Sequence, residues 1–184
     1  MKTVAMVSIL AATPAITDPL NLIDYEQLFA DNAARVEIVS EDREILQIGD
    51  IMILRGSEEG FEYTGLDQSG HGAVGCFVSV LASVQSALQT CEIALPPEQQ
   101  IISDAYRRDA LAFYAANAFP SATIEEVESR FAALVESEIE LSRPFCSDPA
   151  VITDFSDRLF VEDSKDEISS MMSIPRLPVA NPCL

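Results

Sequence analysis

From Ala73 to Leu95 the chain reads AVGCFVSVLASVQSALQTCEIAL, and between Gln68 and Cys91 it carries no Asp, Glu, Lys or Arg. Phe77, Val80, Leu81, Val84, Ala87, Leu88 and Cys91 recur at the three- and four-residue spacing of one helix face. Ser79, Ser83, Ser86 and Thr90, with Gln85 and Gln89 beside them, make the other side small and uncharged. A helix without a charged side packs over most of its circumference, so residues 76–95 are the predicted central helix. A transmembrane span is rejected because the window holds too many hydroxyl and amide groups for hydrocarbon.

Around this stretch the pattern changes period. Asp18-Pro19 reads as a cap with proline in the first turn, opening a helix to about Ala33 through Leu20, Ile23, Leu28 and Phe29. Val36–Val39 alternates, and Ile45–Leu54 followed by Phe61–Thr64 reads as two strands, a hairpin within 45–64. Glycines at 65, 70, 72 and 75 mark the loop that leads into the central helix. Beyond Pro96-Pro97 the pattern is helical: 98–119, stopped by Pro120, then a helix opened by the capping box Thr123 with Glu126. Asp148-Pro149 and Ser164 with Glu167 signal two further starts, and the tail PRLPVANPCL is too rich in proline to be helical.

The predicted architecture is α+β and mainly α-helical, about five or six helices around residues 76–95 with a small antiparallel hairpin at 45–64. The alternative is α/β, with residues 1–10 as a first strand and Val36–Val39 its parallel neighbour. No glycine-rich turn follows that strand, which counts against a nucleotide-binding version.

Composition and charge narrow the function. At 184 residues with 48% apolar content the chain has enough apolar material for a real core, and no repeat or linker divides it. We read residues 16–184 as one domain with a proline-rich tail at 175–184. Eleven basic residues against thirty acidic ones leave a net charge of -19, which repels phosphate backbones and anionic lipid. Nucleic acid is therefore excluded as a partner, and a basic protein is the complementary one. The pattern does not specify an oligomeric state.

Residues 1–15, MKTVAMVSILAATPA, have a charged start at Lys2, an apolar run from Val4 to Ala12 and a small-residue end at Thr13-Pro14-Ala15. This is the layout of a signal peptide, so the expected location is periplasmic or secreted. A retained first strand would make the chain cytoplasmic. Four cysteines, Cys76, Cys91, Cys146 and Cys183, are an even number, which in an exported chain favours disulfides. Cys76 and Cys91, fifteen residues apart on one helix, would stand about 22 Å apart. A disulfide needs about 4.4–6.8 Å between Cα atoms. Two complete pairings remain: Cys76–Cys146 with Cys91–Cys183, or Cys76–Cys183 with Cys91–Cys146.

Candidate chemistry is sparse. Asp109 stands between Tyr106 and Ala105 on one side and Ala112 and Phe113 on the other, so its carboxylate is expected to be buried with a donor. Glu138 continues the line of Phe131 and Leu134, and His71 sits in a Gly-His-Gly loop. These three are the candidate catalytic residues. Glu125, Glu128, Glu136 and Glu140 share one arc of a helix and could meet a basic partner, although such a run is commonly just a solvated face. One histidine and no CxxC pair argue against a zinc centre, and the acids at 162–167 lack EF-hand spacing, so no metal or cofactor is implied.

Two classes of function follow. The favoured one is a non-catalytic, exported, disulfide-stabilised acidic protein that binds another macromolecule: an inhibitor, an immunity-type protein or an accessory envelope protein. The other is a small hydrolase using buried Asp109 with Glu138 or His71, and it requires those groups to converge in one cleft.

Overall fold

The computed structural model of the chain describes residues 18–56 and 63–183, so the signal-peptide and first-strand readings of residues 1–15 lie outside the described residues. Within them, seven α-helices accompany a four-stranded antiparallel sheet, the mainly helical α+β class expected.

The sheet is a meander of β1 (Glu37–Ser40), β2 (Arg43–Ile48), β3 (Ile51–Gly56) and β4 (Tyr63–Asp67), each paired with the next. The expected hairpin at 45–64 is thus the middle of a larger sheet, and the 36–39 segment joins it antiparallel to β2. The strands reach further than apolar content alone indicates because charged residues pair across them. Glu44 opposes Arg55, whose guanidinium bonds the Glu44 carboxylate and lies 4.5 Å over the Phe29 ring. Alternation sends Leu46, Ile51 and Ile53 inward, where they meet Leu28 and Phe29 of α1 (Tyr25–Asp31).

That first helix is shorter than the apolar pattern suggests, and Asp24 rather than Asp18 caps it, accepting from the Gln27 amide. Asp18 instead folds the approach into a turn. Its carboxylate accepts from the amides of Leu20, Leu22 and Ile23 and from the Tyr114 hydroxyl at 2.9 Å. Burial pushes the Asp18 carboxyl up from its ordinary range, against the pull of those four bonds. Burial, with Asp18 beside it, raises the Tyr114 phenol as well.

Helix α2 (Val74–Thr90) is the centre of the helical layer, as the charge-free stretch implies. It stops before residue 95 because Glu92 takes a left-handed φ of 54°, which ends helical bonding at Cys91. Phe77, Val78 and Leu81 pack with Tyr106, Ala110 and Tyr114 of α3 (Pro97–Asn117) and with Val127 and Phe131 of α4 (Ile124–Ser137). Thr123 caps α4 by accepting from the Glu126 amide at 3.2 Å, as its capping box predicts. The shorter α5 (Ile139–Ser142), α6 (Pro149–Leu159) and α7 (Lys165–Met171) complete the layer. Ser164 does not cap α7. Its hydroxyl lies 3.0 Å from that of Tyr106 and within bonding distance of the Leu159 and Val161 carbonyls.

The tail is ordered by the rest of the chain. Asn181 forms a parallel bridge with Leu66 of β4 and accepts from the Asp67 amide at 2.7 Å, while the Gly75 amide donates to the Val179 carbonyl at 2.9 Å. Two glycines make this approach possible. A Cβ on Gly75 would meet the Pro178 and Val179 carbonyl oxygens at 2.6 Å, and one on Gly65 would meet Val179 Cγ1 at 2.3 Å. The two disulfides are Cys76–Cys183 and Cys91–Cys146, with Cα separations of 5.1 and 5.0 Å. They tie the tail to one end of α2 and the turn Arg143–Ser147 to the other.

Candidate functional site

One stripe of α2 lines two cavities, although Cys76, Phe77, Val84 and Ala87 in it are buried and only Val80 and Ser83 are half-buried. Cys76, Phe77 and Val80 wall a cavity of about 420 Å³ whose opposite side is Phe155 and Leu159 of α6 and Met171 of α7. The next residues of the same stripe, Ser83, Val84 and Ala87, wall a second, open cavity of about 230 Å³, together with Phe145, Val151, Ile152 and Phe155. Phe155 belongs to both, so the cavities follow one another as a groove along α2. The spacing 76, 80, 83 and 87 is one face of a helix, which is why a single stripe serves the whole length.

Apolar side chains stay exposed here at a cost in hydration. Phe145 is 50% exposed, Val151 51% and Phe155 47%. Val151 and Phe155 share a face of α6 because they are four residues apart, and the adjacent face, about 100° round the same helix, buries Ile152 and Ser156. Each end of the groove is pinned covalently, by Cys76–Cys183 at one and Cys91–Cys146 at the other. Carboxylates border it. Glu167 lines the first cavity, and Glu138 accepts a hydrogen bond from Ser83 of the second at 3.2 Å. Asp148 and Asp154 flank Val151 in sequence, and Arg158 follows Phe155 by one turn. Such a surface can hold apolar side chains of a partner between acidic borders.

The three candidate catalytic residues do not share a cavity. Asp109, expected to be buried, lies on the outside of α3 with 51% of its side chain exposed, bonded to Arg108 at 2.8 Å. The buried stripe of α3 is Tyr106, Ala110, Leu111, Phe113 and Tyr114, displaced by about one residue, or 100°, from the expected face. Glu138 is half-buried where α4 gives way to α5 and touches α2 through Ser83. His71, just before α2, lines the first cavity and places Nδ1 3.1 Å from the Ser170 hydroxyl. Glu125, Glu128, Glu136 and Glu140 are all exposed, and Glu140 pairs with Arg143 at 3.0 Å.

The carboxylates that are enclosed are Asp18 and Asp67, both missed by helix-face reasoning because neither is helical. A signal for each is present in the chain: Asp18 precedes a proline turn, and Asp67 ends a strand at the start of a glycine loop. Among the described residues no group of three or more His, Cys, Asp and Glu side chains is gathered as for a metal ion. No helix among them is long and apolar enough to cross a membrane. Comparison with known proteins finds no matching family model, no matching curated protein and no matching solved structure.

Proposed function

We propose that this chain is an exported, disulfide-stabilised acidic protein that binds another macromolecule, in the manner of an inhibitor, an immunity-type protein or an accessory envelope subunit. The observation that carries this reading is the groove along α2, where Phe145, Val151 and Phe155 remain exposed on elements held by two disulfides. Exposed apolar side chains gathered at one place, bordered by polar groups, are the usual mark of a protein-binding patch. The disulfides support an oxidising compartment, and the net charge of -19 supports a basic partner.

The test uses the full chain with its own N-terminus, expressed in the organism that encodes it. The expected product is exported, lacks about fifteen residues, carries both disulfides, and forms one discrete photo-crosslinked adduct from position 155 that is absent from position 109. Retention in the cytoplasm, or adducts of equal yield from both positions, would overturn the reading.

A further inference from the structure

The groove also indicates the shape of what fills it. We infer that its occupant is a basic amphipathic α-helix of a partner protein, laid along α2 with two apolar anchors seven residues apart; this rests on the binding role proposed above.

The spacing argues for a helix. The α2 walls of the two cavities, Phe77 with Val80 and Val84 with Ala87, repeat at an interval of seven residues. Seven residues of helix rise about 10.5 Å. A second helix beside α2 meets that interval with side chains at i and i+7, both on one face. An extended segment does not, because its same-face positions fall at about 6.6 and 13 Å. Phe155 stands between the cavities, so the occupant needs small residues at i+3 and i+4, where the two helices approach over that ring. Helix-in-groove recognition reads anchors of this kind.

Charge argues for a basic one. Among the described residues Glu167 is the one Asp, Glu, Lys or Arg side chain lining either cavity, Glu138 is bonded to the second wall, and Asp148 and Asp154 stand near Val151 in sequence. Of the cations on the same elements, Arg143 and Lys165 pair with Glu140 and Glu162, and Arg158 is outnumbered by these four carboxylates. A second copy of this chain would bring its own net charge of -19 to the same border, which works against self-association there.

Three synthetic fourteen-residue peptides test the inference against the full oxidised protein by calorimetry and fluorescence anisotropy. The first has Leu at i and i+7, Ala at i+3 and i+4, and Lys on the other faces. The second has the same composition with the two Leu five residues apart, about 140° from each other round the helix, and the third replaces every Lys with Glu. The first peptide is expected to bind at least tenfold tighter than the second and to gain helicity on binding, and the third is expected not to bind. Phe155→Ser and Val151→Ser, at half-exposed positions that leave the core intact, should each weaken the first peptide at least fivefold. Equal binding of the first two peptides, or affinity unchanged in both variants, would reduce the interaction to charge and overturn the inference. A discrete adduct at position 155 in cells together with that result would leave the binding role standing and remove only the helix.

Discussion

Arg176 donates through Nε to Asp67 Oδ2 at 2.6 Å, and the two side chains are 4% and 2% exposed. The same guanidinium donates to the Ile174 and Gly72 carbonyls at 2.9 and 2.7 Å, and Asp67 Oδ1 accepts from the Ser69 amide. One cation thus joins the end of β4, the loop before α2 and the start of the tail. Removing either partner leaves a buried charge, which costs about 3–5 kcal/mol. Asp67→Asn and Arg176→Met should each lose that much in urea unfolding, and the double variant should lose less than the sum.

Gly75→Ala reverses the usual sign of a helical glycine substitution. Inside an exposed helix alanine gains about 1 kcal/mol over glycine. Here its methyl would meet two backbone oxygens of the tail at 2.6 Å. The variant should be destabilised by about 1–3 kcal/mol, as for overpacking, and should show a larger fraction of reduced Cys183 in mass spectrometry without reductant.

Peptide mapping of the oxidised protein should recover Cys76 with Cys183 and Cys91 with Cys146. The double replacement of Cys91 and Cys146 by Ser should lower stability by about 2–5 kcal/mol. Loss of this bridge releases the turn that carries Phe145, so apolar dye binding at the groove should change as well.

The raised Asp18 carboxyl sets a pH dependence whose sign follows from linkage. Between the ordinary Asp value and the raised one, the folded chain holds more proton than the unfolded chain, so stability from this group falls as pH rises. Urea midpoints of the native protein and of Asp18→Asn, compared from pH 4 to 7, should therefore diverge, with the native protein gaining relative to the variant as pH falls. A difference constant across the range would show that Asp18 does not titrate in that window.

The helical layer was legible where one physical signal dominated. A stretch without charges becomes the central helix, proline and threonine mark the starts of α3, α4 and α6, and rise per residue excludes a Cys76–Cys91 bridge. Phase around α3 was not legible. Ala105, Ala112 and Ala116 are apolar but small, and they weigh as much in a periodic pattern as Tyr106, Phe113 and Tyr114, which decide what packs. Counting alanine equally turned the face toward Asp109. The groove was illegible for another reason: Phe145, Val151 and Phe155 look like core residues, and only the paths of the turn Arg143–Ser147 and of α6 leave them in solvent. Nor does the Asp67–Arg176 pair, joined across 109 positions, leave any local trace.

The length of α2 has a consequence for how the protein becomes oxidised. Its bridges are nested, Cys91–Cys146 lying inside the loop closed by Cys76–Cys183. Cys76 and Cys91 emerge before Cys146 and Cys183 as the chain is made, so pairing in order of appearance would join them wrongly. Helices form within about a microsecond, whereas disulfide exchange takes seconds to hours. By the time an oxidant acts, the helical residues 77–90 already stand between those thiols. Cys91 must wait for Cys146, and Cys76 for Cys183. Helix α2 is a ruler that proofreads its own cross-links.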